Sequence, residues 1–328
     1  MKYNTYIIAE IGINHEGSLA KCIEMVYAAK NANVNAIKLQ TIDPNKNYAK
    51  DTFSYQIFQK SKLSKDATRK VFDIARKCKL DCFTTVGDIE TARWIKKLNP
   101  SAWKISSGLF THIPLIEYLS REKKPLYLST GLTNSNELDL VIKKLKQMNK
   151  KNFSIFHCIS EYPLKKKESS LSSIVKLKKK YKVNVGFSDH TIGNYAACLA
   201  VSLGANIIEK HFTYDKKRDG YDHKIALDYN GMNELVKKVR LTEKMLDYKK
   251  PNNKKRDINR KKFLRVLVAE KNILKGTVFS KNNISIKRVV NNINGISPLF
   301  YKDLIGKKSK ESYIKDIKIN RSEIEDEY

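Results

Sequence analysis

Three of the six histidines in this chain fall within one window, residues 184–223. His190 and His211 each end a β-rich run beside acidic residues, and His223 follows Asp222 in a polar loop that contains glycine. Two imidazoles at neighbouring strand ends can share a divalent metal such as Mn, Fe, Co or Zn, with positions left open for water and substrate. The alternative is that each histidine is a hydrogen-bonded polar residue at a rim.

Two lysines, Lys38 and Lys104, lie near the ends of strand-like runs where a charged side chain would be buried. A buried ammonium group needs an anionic partner, and a phosphate or carboxylate ligand would serve. The lysines could instead pair with Glu10 or Glu209, or extend to solvent. Hydroxyl groups could donate hydrogen bonds to the same anion. The candidates are Thr85, Ser107, Ser160 and Ser188.

Three further groups leave alternatives open. Tyr162 either flanks a substrate or is an ordinary aromatic residue at the rim. Asp222 and His223 contact a polar substrate, transfer protons, or form a solvated loop pair. The segment 129–131 could contact phosphate, but its Ser-Thr-Gly sequence is more typical of a turn from strand to helix.

These residues can form one site only if the fold brings the ends of several strands together. The first two-thirds of the 328-residue chain has a sequence pattern that predicts such a fold. Apolar runs alternate with amphipathic segments, as expected for strands that are buried on both faces. Eight such units predict a (β/α)8 TIM barrel rather than an open doubly wound sheet. The predicted strands are 6–11, 36–41, 81–86, 102–106, 125–129, 153–159, 184–187 and 206–211, and the predicted helices are 18–32, 64–79, 89–98, 113–121, 136–149, 171–181, 195–203 and 232–246.

The pattern changes near residue 249. The segment 249–262 is highly charged and is interpreted as a linker, whereas 263–328 has short alternating runs separated by turn signals. The expected domains are therefore a barrel at 1–248, the linker, and a small, mainly β domain at 263–328.

The formal net charge of +30 is spread over every segment, without interleaved aromatic residues. This distribution indicates a lysine-rich surface that favours anionic small molecules more than a nucleic-acid interface. No apolar run is long enough to span a membrane. The five cysteines are odd in number and irregularly spaced, which predicts reduced thiols and a cytoplasmic protein.

Taken together, the strand-end motifs resemble the sialic acid synthase family, the phosphoenolpyruvate-dependent nonulosonate synthases. The motifs occur in order as IAEIGINHEG, IKLQT, KISSG, LSTG, HCISEYP, FSDHTIG and EKHFT. The tail from about Phe263 is similar to the SAF (antifreeze-like) domain of that family. The resemblance covers essentially the whole chain.

The resemblance implies a Mn²⁺ ion, or another divalent ion such as Mg²⁺ or Co²⁺, on His190 and His211. It implies an open-chain N-acetylmannosamine-type sugar near Glu10, Gln40 and Asp222. In the family a homodimer forms in which each SAF domain covers the partner's barrel and supplies an arginine, and Arg288 is the matching position. Phosphoenolpyruvate is implied to contact Lys38, Thr85, Lys104, Ser107, Ser160, Tyr162 and Ser188.

Several positions depart from the family pattern. Leu109 stands where a glutamate is usual, Ser160 where an asparagine is common, and Tyr221 where a proline is usual. The retained Asp222-His223 pair is more similar to the sialic or legionaminic branch than to the pseudaminic branch. The leading hypothesis is a nonulosonate synthase; the alternatives are a related barrel aldolase or lyase with another acceptor, and a catalytically impaired sugar-binding homologue.

Overall fold

A computed structural model describes residues 4–247 and 252–324, which form two compact units. The first unit ends at Asp247, and the described residues from Asn252 onward belong to the second unit. Residues 249–251 of the expected linker, and the ends of the chain at 1–3 and 325–328, lie outside the described residues. Within the described ranges no helix is both long and apolar enough to cross a bilayer.

The first unit is a closed parallel barrel, which confirms the predicted fold class. Each strand pairs with the next along the chain, and the last strand pairs with the first. The strands are β1 (Tyr6–Gly12), β2 (Ala36–Thr41), β3 (Asp81–Val86), β4 (Trp103–Ile105), β5 (Leu126–Ser129), β6 (Phe153–His157), β7 (Asn184–Asp189) and β8 (Ile207–His211).

Helices follow the strands, and two of them were not predicted. The segment between β2 and β3 was expected to hold one helix, but it also contains α2 (Pro44–Asn47) and α3 (Phe53–Ser61). Their start signals are Asp43 before Pro44, and Thr52, each of which caps a helix N-terminus. Such short helices lack the long apolar stripe on which the prediction depended. The other helices of this unit are α1 (Leu19–Asn31), α4 (Lys65–Lys77), α5 (Ile89–Lys96), α6 (Ile113–Ser120), α7 (Ser135–Gln147), α8 (Ser172–Tyr181), α9 (Tyr195–Ser202) and α10 (Tyr229–Leu246).

The barrel interior is layered because side chains along a strand alternate between its two faces. The lower layer is a buried apolar cluster that includes Ile8 and Ile207. Two residues further along the same strands come Glu10 and Glu209, so charged groups lie directly above the apolar floor. The same two-residue step relates Ala36 to Lys38, Phe83 to Thr85, and Ala102 to Lys104.

The second unit has its own small core, which includes Leu267 and Phe279. An antiparallel pair, β9 (Val266–Ala269) and β10 (Ile284–Lys287), is followed by the short helix α12 (Tyr301–Leu304). Within the expected linker, Asn253–Phe263 is helical (α11). Asn252 caps its N-terminus, and basic residues in its last turn complement the helix dipole.

Candidate active site

Four charged side chains meet inside the upper barrel, and each is at most 4% exposed. Nζ of Lys38 lies 2.8 Å from Oε2 of Glu10 and 3.6 Å from Oε2 of Glu209. Nζ of Lys104 donates to both carboxylate oxygens of Glu209, at 2.7 and 2.6 Å. Two positive and two negative charges therefore offset one another away from the protein surface. The lysine–glutamate pairing considered from the sequence is present, and an anionic ligand for the lysines stays a prediction.

The pKa values in this cluster diverge. Burial raises the pKa of Glu10 to about 7, although Lys38 opposes the shift. Burial also disfavours ionisation of Glu209, but Lys104 and Lys38 outweigh it and lower the pKa of Glu209 to about 2. Burial lowers the pKa of Lys104, whereas the two glutamates raise the pKa of Lys38 in spite of burial. Of the two carboxylates in the cluster, Glu10 is therefore the one that more readily takes up a proton.

Two of the predicted hydroxyl groups touch the charged cluster. Oγ1 of Thr85 accepts a hydrogen bond from Nζ of Lys38 at 3.2 Å. Oγ of Ser188 donates to Oε1 of Glu209 at 2.9 Å. Both lie on inward positions of strands β3 and β7, as the strand-end reading predicted.

The other two hydroxyl groups crowd the turn after β5. The backbone N–H of Gly131 donates to Oγ of Ser107 at 3.0 Å. A β-carbon on Gly131 would lie 2.5 Å from Oγ of Ser160 and 2.9 Å from that of Ser107, so a side chain here would displace both serines. This close approach explains the glycine in the Ser-Thr-Gly turn and brings the two serines together.

His190 and His211 come together as the sequence predicted, with ring centroids 5.6 Å apart. Nδ1 of His190 lies 2.7 Å from the carbonyl oxygen of Ile159, an arrangement that makes Nδ1 the donor and leaves the Nε2 lone pair free. Burial, with a contribution from His211, lowers the pKa of His190 to about 4. Burial, with a contribution from Lys38, lowers the pKa of His211 to about 3. Both rings are therefore neutral near pH 7, and Tyr162 packs 4.2 Å from the His190 ring, centroid to centroid.

The histidine pair fits a metal in its chemistry, although it supplies only two ligands. Nδ1 of His211 is buried and has no hydrogen-bond partner among the described residues. A buried imidazole nitrogen without a hydrogen-bond partner is suited to binding a metal ion. Across residues 4–247 and 252–324, no group of three or more His, Cys, Asp or Glu side chains is arranged to hold an ion. A metal on this pair would therefore keep most of its coordination positions for water and substrate.

Asp222 reaches the histidines from the loop after β8. Its Oδ2 lies 3.4 Å from Nδ1 of His211, and burial raises its pKa. The backbone N–H of Asp222 donates to Oδ1 of Asn14 at 3.1 Å, and Nδ2 of Asn14 donates to the carbonyl of Phe212 at 3.0 Å. Asn14 thus ties this loop to the loop after β1.

The reading of Asp222-His223 as a solvated loop pair is wrong, because His223 is fully buried. Nε2 of His223 lies 3.1 Å from Oε1 of Glu16. Glu16 also accepts from Arg218 at 2.5 and 2.9 Å, from Lys21 at 2.9 Å and from the Tyr214 hydroxyl at 2.8 Å. One carboxylate after β1 therefore holds the loop that carries Asp222.

Replacing Glu16 by glutamine should lower the melting temperature by several degrees at pH 7, because an amide cannot replace the anion for these donors. The donors lower the pKa of Glu16 from 4.5 to about 2. The stabilisation is therefore complete above pH 4.5 and is lost as the pH falls toward 2. Thermal unfolding of both proteins at several pH values checks this.

The matched control for Glu16→Gln is Asp73→Asn. Asp73 pairs with Arg76 on the exposed face of α4, so its loss should leave the melting temperature nearly unchanged. Equal melting temperatures for Glu16→Gln and wild type at pH 7 would contradict the role given to Glu16.

The remaining predicted residues fall in different places. Nε2 of Gln40 donates to Oε1 of Glu10 at 3.0 Å, so Gln40 joins the site. Leu109 ends a 3₁₀ turn and packs, half-buried, against the barrel core. Arg288 belongs to the second unit, directly after β10, where its guanidinium lies 5.3 Å from the ring centroid of Phe263. Its role at a partner's barrel stays a prediction.

Sequence analysis underestimated the number of contacts that Glu209 makes in the site, and it did not identify Glu16. Glu209 bonds Lys104 and Ser188, whereas it was considered only as an alternative partner for a lysine. Its position two residues before His211 was the available signal, because both then face the barrel interior. Glu16 had no such signal, since all the partners named above except Lys21 lie about 200 residues away.

Two known protein families match this chain, one in the barrel and one in the C-terminal part. The profile of the NeuB family matches residues 25–251, and that of the SAF domain matches residues 265–316. Pseudaminic acid synthase of Campylobacter jejuni is 33% identical over 327 residues, covering 95% of this chain and 93% of that protein. N,N'-diacetyllegionaminic acid synthase of the same species is 32% identical over 329 residues, covering 95% and 98%.

A solved structure agrees with these relationships. The crystal structure of N-acetylneuraminic acid (sialic acid) synthetase from Leptospira borgpetersenii, in complex with citrate, superposes with a TM-score of 0.74 at 28% identity. The match covers 78% of this chain and 90% of that one. The relationships therefore extend through the barrel, and the SAF match confirms the predicted type of the second unit.

Proposed function

Because the chain belongs to the NeuB family, as the resemblance to sialic acid synthases predicted, we propose that it is a phosphoenolpyruvate-condensing synthase. Its acceptor is the open-chain aldehyde of an N-acetylated hexosamine of the N-acetylmannosamine type. Its products are a nonulosonic acid and inorganic phosphate.

The observation that carries this proposal is the buried cluster of two lysines and two glutamates close to a neutral histidine pair. Phosphoenolpyruvate has two anionic ends, and Lys38 and Lys104 offer two cations in a cluster that also holds the hydroxyl groups of Thr85 and Ser188. An anion that enters adds negative charge next to Glu10. The raised pKa of Glu10, about 7, allows that carboxylate to take up a proton and limit the repulsion.

The condensation requires one new carbon–carbon bond. The π electrons of the enol carbon attack the aldehyde carbon, and the aldehyde oxygen gains a proton. Water then adds at the cationic C2 and releases a proton. The tetrahedral intermediate expels phosphate with the electrons of the C2–O bond, and the C2 hydroxyl group gives up its proton to leave a ketone. Lys38 and Lys104 stabilise the charge on phosphate and carboxylate, while Glu10, Gln40 and Asp222 orient the sugar.

A divalent ion completes the proposed site. Mn²⁺, or Mg²⁺ or Co²⁺ in its place, would bind to His190 and His211, whose lone pairs are available because burial keeps both rings neutral. When bound, the ion would supply Lewis-acid polarisation of the aldehyde oxygen.

The proposal is tested by incubating the purified protein with phosphoenolpyruvate, Mn²⁺ and a panel of N-acetylated hexosamines. Phosphate release that depends on the sugar, with a product mass equal to sugar plus pyruvate, is the expected result. Phosphate release in the absence of sugar would count against a synthase. So would the absence of phosphate release with every sugar of the panel. Sugar binding that persists in a His190→Ala, His211→Ala double variant would favour a binding protein instead.

Leu109 supports a second candidate, a related condensation with a different acceptor. Family members usually carry a glutamate here, and in this chain an apolar side chain packs on the barrel core instead. Leu109→Glu in the same panel separates the candidates, because a changed order of preferred acceptors would assign Leu109 to acceptor choice.

We also propose a homodimer in which the SAF domain of one subunit covers the barrel of its partner. Arg288→Ala should then raise the KM for the sugar about tenfold or more and leave the KM for phosphoenolpyruvate largely unchanged, because the lost guanidinium would have contacted the sugar only. Steady-state kinetics with each substrate varied in turn measure both values. An equal rise in both would exclude this role.

We propose that the protein is located in the cytoplasm. The five cysteines are free thiols, which supports a reducing compartment.

A further inference from the structure

A second buried charged pair lies next to the histidines, outside the cluster of lysines and glutamates described above. Asp189 ends β7, Lys210 lies on β8, and the two residues are direct neighbours across these strands. Nζ of Lys210 lies 3.0 Å from Oδ2 of Asp189, and both side chains are fully buried. Because side chains alternate along a strand, this pair faces away from the barrel interior, toward which Glu209 and His211 point.

The surroundings of this pair are apolar. Two residues earlier on the same strands, Phe187 and Ile208 belong to the large hydrophobic cluster that also includes Ala197 of α9 and Met232 of α10. An ion pair in such a layer adds little net stability, because removing two charges from water costs about as much free energy as their attraction returns. Stability alone therefore does not explain why two charged residues occupy these positions.

The contacts of the pair converge on Thr191. Oδ1 of Asp189 accepts from the backbone N–H of Thr191 at 2.9 Å and from its hydroxyl group at 2.8 Å. Nζ of Lys210 donates to the carbonyl oxygen of Thr191. Thr191 is itself fully buried, so an apolar pair would leave its backbone N–H and carbonyl without these partners. The ion pair therefore fixes the backbone of Thr191.

His190 lies between the two residues that are held in this way. Its carbonyl oxygen accepts from the backbone N–H of Leu164 at 3.0 Å, and its Nδ1 lies 2.7 Å from the carbonyl oxygen of Ile159. The backbone is thus fixed on both sides of the imidazole ring. Lys210, in turn, directly precedes His211 on β8. One buried pair therefore links the two strand ends that carry His190 and His211.

We propose that Asp189 and Lys210 are positioning residues for the divalent-ion site, and that they set the separation and orientation of His190 and His211. They face away from the barrel interior and act through the backbone. Partners that orient metal ligands in this way typically contribute about 10–100-fold in metal affinity. The inference rests on the proposed function, of which it uses the metal site only.

The test measures Mn²⁺ affinity directly, from the electron paramagnetic resonance signal of the free ion. Lys210→Met should raise the Kd for Mn²⁺ at least about tenfold, because the carbonyl oxygen of Thr191 loses its donor. Lys150→Met is the matched control, since Lys150 is also buried and also donates to backbone carbonyl oxygens, but these precede β5. The control should keep the Kd of the wild type.

The double variant Asp189→Asn, Lys210→Met separates positioning from stability. It removes both charges, so it should fold and recover most of the free energy of unfolding that Lys210→Met loses. Its Kd for Mn²⁺ should stay at least about tenfold above that of the wild type, because Thr191 still lacks the ammonium donor. Recovery of the Kd together with the stability would overturn the inference. This variant decides the question even if Lys210→Met alone does not fold.

The outcomes keep this inference apart from the proposed function. A wild type that binds Mn²⁺ but releases no phosphate, together with weaker binding by the double variant, would support the positioning role and contradict the synthase. Sugar-dependent phosphate release, with a wild-type Kd for Mn²⁺ in the double variant, would support the synthase and overturn the positioning role. A wild type that binds no Mn²⁺ would overturn the positioning role, whether or not it releases phosphate.

Discussion

Replacing Lys104 with methionine is expected to abolish phosphate release and to lower the free energy of unfolding by about 3–5 kcal/mol. Lys104 is 2% exposed, and both carboxylate oxygens of Glu209 accept from it. In the variant the carboxylate of Glu209 would keep only one cationic partner of the pair, Lys38, whose Nζ lies 3.6 Å from Oε2 of Glu209. Phosphate-release assays and denaturant unfolding measure the two effects.

A second substitution distinguishes the two consequences of losing Lys104. Lys104→Met combined with Glu209→Gln removes the unpaired charge and should recover much of the stability. It should not recover activity, because the cation proposed to hold phosphoenolpyruvate is still absent. Full activity in the double variant would contradict the role of Lys104 in anion binding.

Lys150→Met is the matched control for a buried lysine outside the site. Lys150 is 7% exposed, and its Nζ donates to the carbonyl oxygens of Glu122 and Lys124 before β5. The control should lose stability and retain activity per folded molecule, since it lies ahead of the strands rather than at their carboxyl ends.

Removing divalent ions from the wild type is expected to stop phosphate release, and Mn²⁺ should restore it. An ion at 100 times its Kd should also stabilise the protein by about 2.7 kcal/mol. Because burial holds the pKa values of His190 and His211 at about 4 and about 3, ion binding should change little from pH 7 to 5. Binding should weaken only as the pH falls through about 4 and protons compete for His190.

The double variant His190→Ala, His211→Ala should show neither the recovery of activity nor the thermal shift with Mn²⁺. His112→Asn is the control, because His112 caps α6 and asparagine can cap a helix equally well. A thermal shift of wild-type size in the double variant would place the ion elsewhere.

Local sequence patterns were sufficient to predict the barrel and several of the side chains that meet inside it. Apolar runs of the right length and spacing predicted all eight strands, with ends displaced by at most a few residues. Reading the strand ends then selected Lys38, Lys104, His190 and His211, and the structure brings them together. This succeeded because a parallel barrel places the carboxyl end of every strand at one face, whatever the details of packing.

Short or highly charged elements escaped prediction. α2 and α3 bury few residues, and α11 buries none of its side chains, so none of the three carries an apolar stripe. Their signals were capping residues, which contribute about 1 kcal/mol each and are common outside helices as well. Composition alone therefore assigned these segments to loop and linker.

The choice of partners inside the site depended on tertiary structure. Lys104 on β4 meets Glu209 on β8, across the barrel rather than on a neighbouring strand, and Glu16 holds His223 from 207 positions away. The sequence determined which residue types reach the strand ends, because the alternation of side chains is a local property of each strand. Only the closed barrel, through its strand tilt and stagger, decided which of them touch, because these distances depend on all eight strands at once.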